Sequence, residues 1–390
     1  MTSAFHLGLG QHKAVYTAFP GSVPAAAAID RDACLHFTDG SCDACVGACP
    51  FNSIDFAERD EDLEIRAGAV IVATGHDTVD PSGIGRLGFG TIDDVYVMPQ
   101  FERIASSNGP YGGEIRLRDG RKPESLAVVH CVGSLCEDGL PYCSGVCCML
   151  AAKAGELFRK KVPGATVTSI HDRLVFDGPA AGAFLRRQVE EGTRFVRVAD
   201  LSSVSVERTP QGIRVSAQGM APVTVDMVVL ATGLIAHSTS TALAGLCNTE
   251  VDEFGFLKPD HGVLHATGTT IDGIYAAGCA SSPCDSATAV SRAHAAAGHA
   301  LSRLVPGRRI ELEVLTSAID AERCAGCRMC IAVCPYKAIA YDPEKAVSAV
   351  TEAICRGCGT CVATCPGGAA SAKHFTDTQI YAELGGVLHG

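Results

Sequence analysis

Two four-cysteine runs constrain this chain more than any other feature: Cys324-Ala-Gly-Cys327-Arg-Met-Cys330-Ile-Ala-Val-Cys334-Pro335 and Cys355-Arg-Gly-Cys358-Gly-Thr-Cys361-Val-Ala-Thr-Cys365-Pro366. At this spacing three close thiolates hold one [4Fe–4S] cluster and the fourth reaches across to a second. One cluster is therefore expected on Cys324, Cys327, Cys330 and Cys365, and the other on Cys355, Cys358, Cys361 and Cys334. The small residues between ligands let a tight loop turn its amide N–H groups toward cluster sulfides, and Pro335 and Pro366 stop each turn. Zinc is the alternative, but zinc ribbons use two cysteines per knuckle rather than two runs of four.

The chain has 20 cysteines in 390 residues. Under reducing conditions that number points to metal ligands and buried thiols and not to a disulfide framework. Cys34-x7-Cys42-x2-Cys45-x3-Cys49-Pro50 is a cluster loop with its first ligand set further back. It predicts a third [4Fe–4S] cluster, with a four-thiolate zinc site as the alternative. Phe51 to Phe56 alternates in the manner of a short closing strand. A middle block, Cys131-Val-Gly-Ser-Leu-Cys136 followed by Cys143-Ser-Gly-Val-Cys147-Cys148, comes after the apolar strand Leu126–Val129 and before a helical stretch from Met149 to Lys161. A nucleotide-binding fold places its glycine-rich phosphate turn at that position. The block has five cysteines, one more than a cluster needs, and spacing alone does not decide whether it binds one.

Between the cysteine blocks the chain reads as α/β. Ala67 to Gly75 and Val225 to Gly233 are buried strands ending in Ala-Thr-Gly, and Gly273-Ile-Tyr-Ala-Ala-Gly278-Cys279-Ala280 is a strand entering a small-residue turn. An alanine-rich helix is expected from about Ser286 to Leu304. A strand, a tight glycine turn and a helix N-terminus together suit an anionic or electron-rich cofactor edge, because first-turn N–H groups are unpaired there. With the cluster blocks, this fits a flavin beside a series of iron–sulfur centres. The candidate flavin-contacting residues are Thr74, Gly75, Thr232, Gly233, Gly278, Cys279, Ala280 and Cys284. No G-x-G-x-x-G run follows a strand near the N-terminus, where such a domain seats the FAD pyrophosphate.

These motifs in this order resemble the A subunit of heterodisulfide reductase and its relatives. The resemblance rests on the Cys34–Cys49 loop, the two Ala-Thr-Gly strands, Cys131-Val-Gly-Ser with Tyr142-Cys143-Ser-x-Val-Cys147-Cys148, the Ala-Ala-Gly-Cys-Ala turn and the double ferredoxin. Gly8-Leu-Gly-x-x-Lys13-Ala-Val-Tyr16-x-x-Phe19-Pro20-x-x-Val23-Pro24 and His374-Phe-Thr-Asp377-x-Gln379-Ile380 extend it over nearly the whole sequence. It implies an α/β, thioredoxin-reductase-like flavoprotein core with FAD and several [4Fe–4S] clusters. Such a protein moves electrons between a hydrogenase, formate dehydrogenase or ferredoxin and subunits that reduce a disulfide or related acceptor. It also implies that Cys131, Cys143, Cys147 and Cys148 hold a fourth cluster and that Cys136 is spare. Full-length members carry the FAD fingerprint ahead of the matching region, so the resemblance predicts the C-terminal part of a split subunit, with an incomplete first dinucleotide-binding domain and a partner chain supplying the G-x-G-x-x-G motif. Where the family often has a lysine near the flavin N5, this chain has Cys284. A thiol is only a weak neutral donor, so ordinary electron relay is expected here and not bifurcation.

The expected organisation is an N-terminal cluster insert (1–60), a partial FAD-binding domain (61–125), a second α/β domain with the cysteine loop (126–235) and the return of the FAD-binding domain (236–308). An α+β two-cluster ferredoxin domain (309–372) and a short helical tail available for partner docking (373–390) follow. Hydrophobic residues make up 47% and charged residues 19%, with a net charge of −11, which argues against a disordered chain or a nucleic-acid binder. The apolar stretches fall short of the roughly 20 residues that cross a bilayer, and no secretory signal is read, so a cytoplasmic protein is expected. Cys247 reads as a small buried hydrophobe and His130 as a core histidine. Two other functions remain open: a self-sufficient flavin disulfide reductase using Cys279 and Cys284, and a flavin-free scaffold that wires clusters between partners.

Overall fold

Leu126 to Val132 is apolar at nearly every position, and a strand apolar on both faces is stable only inside a covered parallel sheet. In the computed structural model, which describes residues 2–389 apart from 18, 20, 24–25, 137–138 and 305–314, this run is the central strand of such a sheet. The order across the sheet is Val95–Val97, Met227–Thr232, Ser125–Val132, Thr166–His171 and Thr193–Arg197, all parallel. Alternate side chains serve opposite faces. Leu126, Val128, Met227 and Val229 pack with Phe101, Ile104 and Phe158 from the helices Met98–Ala105 and Cys147–Lys161. Ala127, Val129, Val228 and Leu230 pack with Ile213 and Val215 of an antiparallel meander, Ser205–Thr209, Gly212–Ala217 and Met220–Val225. Each large side chain buried in this way contributes about 1.5–3 kcal/mol.

The chain order is that of a doubly wound fold. From Ser125–Val132 the chain moves outward through Thr166–His171 to Thr193–Arg197, then returns through the meander to Met227–Thr232 on the other side of the first strand. The order reverses between Ser125–Val132 and Met227–Thr232, and in open α/β sheets ligands bind outside the carboxyl ends of strands at that switch point. Val95–Val97, in the 61–125 segment assigned above to the flavin domain, extends this sheet by pairing with Met227–Thr232.

The chain divides into two compact units: Met1–Ile65 with Asp77–Ile235 and Pro283–Asp285, and Arg66–His76 with Ala236–Ser282 and Ser286–Gly390. In the second unit Val70–Val72 pairs in parallel with Ile274–Ala276. Tyr275 and Ala277 pack with Ala296 and Ala300 of the Ser286–Arg303 helix, and Val72, Ala276 and Ala280 pack with Ala244 and Leu257. The C-terminal cysteine runs sit between two antiparallel pairs, Ser317–Ile319 with Ala370–Ala372 and Ile339–Asp342 with Val347–Val350. Asp377–His389 forms the helix expected for the tail, with Tyr381, Val387 and Leu388 exposed. Among the described residues no helix is long and apolar enough to cross a membrane.

Two sequence expectations need correction. Phe51 to Phe56 is not a strand. Asn52 has φ +49°, the Asp55 carboxylate accepts from the Ala57 amide at 2.7 Å, and the Phe56 ring stacks on His36 at 3.6 Å, so the segment turns where a strand would extend. Cys247 is only partly buried, because it caps the end of the Ser240–Leu246 helix instead of entering the core.

Candidate iron–sulfur and flavin sites

Each C-terminal run folds as a loop, a five-residue helix and a proline stop. Met329–Val333 follows Arg328 (φ +62°) and ends at Cys334; Thr360–Thr364 follows Gly359 (φ +74°) and ends at Cys365. Cys330 and Cys361 are buried on these helices and pack with Ile339. One hollow is lined by Cys324, Cys327, Cys330 and Cys365 together with Ile319, Met329 and Ala370. A second is lined by Cys334, Cys355, Cys358 and Cys361 together with Ile339. The structure thus brings together three thiols of one run with the last thiol of the other, twice.

The donors around these sulfurs suit thiolates. The Ala338 amide points at Cys334 Sγ at 3.3 Å and the Ser317 amide at Cys355 Sγ at 3.4 Å, while Cys361 Sγ lies 3.3 Å from Ser317 Oγ. The Thr360 hydroxyl and amide hold the Cys358 thiol below its ordinary range, and the Ala370 amide, followed by those of Ala369, Gly367 and Gly368, does the same for Cys365. Lowered thiol pKa values favour the ligating form. Gly357 is required sterically, since a β-carbon there would collide with the Leu315 carbonyl oxygen. Among the described residues no group of three or more His, Cys, Asp or Glu side chains gathers on a single metal-ion position. The thiols stand around hollows, which fits a polynuclear cluster.

The N-terminal block repeats part of this pattern. Ala44–Ala48 is again a five-residue helix ending at a cysteine, Cys49, and Cys34 is buried at the start of Leu35–Asp39. Cys42, Cys45 and Cys49 are partly buried. Ser53, 3.3 Å from Cys49 Sγ, draws that thiol below its ordinary range.

The middle block lies at the switch point. Cys131, with φ +52°, is the penultimate residue of the central strand, and Cys147 and Cys148 open the Cys147–Lys161 helix. Burial, then the fields of Cys148, Cys147 and Cys143, push the Cys131 thiol up to about 12. Burial, then Cys148 and Cys143, push Cys147 up to about 11, and burial also raises Cys148. The four thiols are thus near enough to act on one another, with Cys147 and Cys148 buried, Cys131 partly buried and Cys143 exposed. A bound iron centre would reverse the balance at Cys131, Cys143, Cys147 and Cys148, because a coordinating cation takes the deprotonated thiol. Cys136 is exposed, and its carbonyl accepts from the Gly139 amide at 3.2 Å.

Several residues of this site escaped the sequence reading. The Tyr142 hydroxyl donates to the Leu234 carbonyl at 2.9 Å and Ser144 Oγ accepts from the Leu234 amide at 2.8 Å, pinning the loop to the end of the Met227–Thr232 strand. Cys147 Sγ lies 3.5 Å from the Thr232 carbonyl, and a β-carbon on Gly233 would strike Ser134 Oγ. Thr232 and Gly233, read from sequence as flavin residues, therefore pack against the cysteine loop. Tyr142 and Ser144 flank Cys143, so the motif itself held the available signal. His130 is fully buried, its Nε2 2.6 Å from Ser169 Oγ, and burial followed by His171 lowers it to about 3.

Of the remaining flavin candidates, Thr74, Gly75, Gly278, Cys279 and Ala280 lie in the second unit and Cys284 in the first. The Ala277 amide bonds to the Val72 carbonyl at 2.9 Å, so the turns after both strands lie side by side, bringing Thr74 and Gly75 to Gly278, Cys279 and Ala280. The Thr74 hydroxyl is buried without a hydrogen bond, and Gly75 (φ +76°) has open space where a β-carbon would stand. An orphaned hydroxyl beside a glycine cradle fits the polar edge of a flavin. Arg292 braces the turn, donating to the Gly278 and Ser282 carbonyls at 2.9 Å and to Ser282 Oγ at 2.8 Å. The turn thus has a fixed cation that an argument from Cys284 alone omits. Cys279 is buried and Cys284 partly buried, and the two belong to different units.

Residues 317–366 match the 4Fe-4S dicluster domain family, spanning both C-terminal runs. The A subunit of the H(2):CoB-CoM heterodisulfide,ferredoxin reductase of Methanothermobacter thermautotrophicus is 36% identical over 348 residues, 88% of this chain and 52% of that protein. The iron-sulfur A subunit of the CoB--CoM heterodisulfide reductase of Methanocaldococcus jannaschii is 34% identical over 399 residues, 98% of this chain and 59% of that protein. The chain is a homologue of the heterodisulfide reductase A subunits. It spans between about half and three-fifths of the length of these curated relatives. Among solved structures, the flavoprotein disulfide reductase RclA of Escherichia coli matches with TM-score 0.40 at 18% identity, over 63% of this chain and 46% of that one. The NAD-dependent persulfide reductase of A. fulgidus matches with TM-score 0.37 at 18% identity, over 65% and 42%. In this homologue of the reductase A subunits, the dicluster match covers all eight cysteines that line the two C-terminal hollows.

Proposed function

We propose that this chain is the electron-relay subunit of a heterodisulfide-reductase-type complex. It holds four [4Fe–4S] clusters, contributes one face of an FAD site, and passes electrons between a donor oxidoreductase and a subunit that reduces a disulfide or related acceptor. The observation that carries this reading is the pair of crossed thiol sets, Cys324, Cys327, Cys330 with Cys365 and Cys355, Cys358, Cys361 with Cys334. Cys34, Cys42, Cys45 and Cys49 hold a third cluster and Cys131, Cys143, Cys147 and Cys148 a fourth. When bound, such clusters supply one-electron carriage and a flavin supplies exchange between one- and two-electron chemistry.

The chain's own residues set the terms of that transfer. Amides aimed at Cys334 and Cys355 stabilise negative charge on sulfur, which raises a cluster's potential. The buried surroundings of Cys147 and Cys148 favour whichever state of the centre carries less net charge, because low dielectric disfavours charge. The cysteine loop occupies the switch point at which a dinucleotide pyrophosphate would otherwise lie, so the first unit serves as a cluster carrier and not as a hydride-transfer domain. Thr74, Gly75, Gly278, Cys279 and Ala280 contact the flavin, with the pyrophosphate fingerprint supplied by a partner chain.

The test is anaerobic purification of the chain alone and together with its neighbouring gene product, followed by FAD quantification. FAD that appears only with the neighbour supports a shared flavin site. Its absence under both conditions removes the flavin from the proposal.

A further inference from the structure

One C-terminal thiol set carries an attachment that its spacing does not require. Arg356 lies inside the ligand loop, between Cys355 and Cys358. Its guanidinium donates to Asp272 Oδ2 at 2.8 Å and to the Thr270 carbonyl. The other oxygen of Asp272 takes Arg303 at 3.3 Å. Lys337, three residues after Cys334 of the same set, pairs with Glu250 at 3.6 Å, and Glu250 also takes Lys258 at 3.3 Å. Thr270 and Asp272 directly precede the Ile274–Ala276 strand, whose far end is the Gly278–Ala280 turn.

We propose that Arg356 is a positioning residue: its fork clamps the Cys334, Cys355, Cys358 and Cys361 centre onto the Thr270–Asp272 segment and couples the charge of that segment to the centre. An isolated exposed ion pair stabilises little, and the Arg356 and Asp272 side chains are 25% and 46% exposed. What distinguishes this one is geometry. A planar guanidinium that binds a carboxylate and a carbonyl together loses less freedom per bond than a lysine would, and Asp272 is itself held by a second arginine. Arg356 also stands one residue from a thiolate ligand, so its positive charge favours the reduced, more negative state of that centre, and Asp272 opposes it. The inference rests on the reading of this thiol set as a cluster site.

The test uses the full chain with clusters reconstituted anaerobically and iron content verified, and compares Arg356→Gln and Asp272→Asn. Two quantities are read: hydrogen exchange at the amides of 268–276 and 355–361, and the midpoint potential of the dicluster signals by redox titration. Exchange in both segments is expected to rise roughly tenfold in each variant, in line with loss of a charge-assisted hydrogen bond. Wild-type exchange is expected to rise toward the variant level as salt increases. The potential is expected to fall in Arg356→Gln and to rise in Asp272→Asn. Opposite shifts are the signature of charge, since general loosening of the fold would move both variants the same way. If Arg356→Gln loses iron, Asp272→Asn, outside the cysteine loop, carries the comparison. Unchanged exchange with iron retained, or potentials shifting together, overturns the clamp. Iron missing from the wild-type dicluster domain would instead overturn the cluster reading on which it rests.

Discussion

Gly233 has no room for a side chain, because its α-carbon faces Ser134 Oγ and Leu140 across the cysteine loop. Gly233→Ala is therefore expected to cost about 1–3 kcal/mol of stability through overpacking, read from urea unfolding of the first unit's sheet signal. Cys136 and Cys143 of the same loop are both exposed, but only Cys143 stands close enough to Cys131, Cys147 and Cys148 to raise their thiols. Cys143→Ser is therefore expected to remove about four irons per chain, whereas Cys136→Ser should remove none; iron analysis of the two purified variants distinguishes them. Protonation at this scale is also constrained. Burial lowers His171 below its ordinary value. A histidine depressed on folding binds fewer protons in the native than in the unfolded chain, so its contribution is complete above the unfolded pKa of about 6.5 and is lost as pH falls through it. The melting temperature should drop between about pH 7.5 and about pH 5.5, and His171→Gln should flatten that slope. An unaltered slope in the variant would place the effect elsewhere.

At the scale of elements, what was legible in the sequence was what is local. The two C-terminal runs, the Ser125–Val132 and Met227–Thr232 strands and the Ser286–Arg303 helix follow from ligand spacing, unbroken apolar runs and alanine content within a few residues. The interactions that position these elements were not legible, because their partners are remote. Arg356 and Asp272 are 84 residues apart, and Arg292 reaches back 14 residues to the Gly278 carbonyl. Phe51 to Phe56 misled because period-two alternation was present but, among the described residues, no neighbouring strand edge pairs with it. Arg292 offers a direct test at this scale. Arg292→Ala leaves three acceptors of the Gly278–Ser282 turn without their donor and is expected to destabilise the second unit by about 1–3 kcal/mol, measured by denaturant titration. Arg292→Lys should recover only part of that loss, since an ammonium cannot reproduce the fork. Equal stability of the alanine variant and the wild type would show that the turn holds without its brace.

Across the whole molecule, sixteen cysteines in four sets account for the spacing of every dense cysteine block, and four others, Cys136, Cys247, Cys279 and Cys284, stand outside them. The doubly wound sheet places one set where a dinucleotide would bind, and the α+β end of the chain crosses two more between its own halves. Total iron and acid-labile sulfide in the anaerobically purified chain show whether all four sets bind clusters. About sixteen irons and about as many sulfides per chain are expected, four of each for every [4Fe–4S] centre. About eight of each would confine the clusters to the C-terminal domain and contradict that expectation.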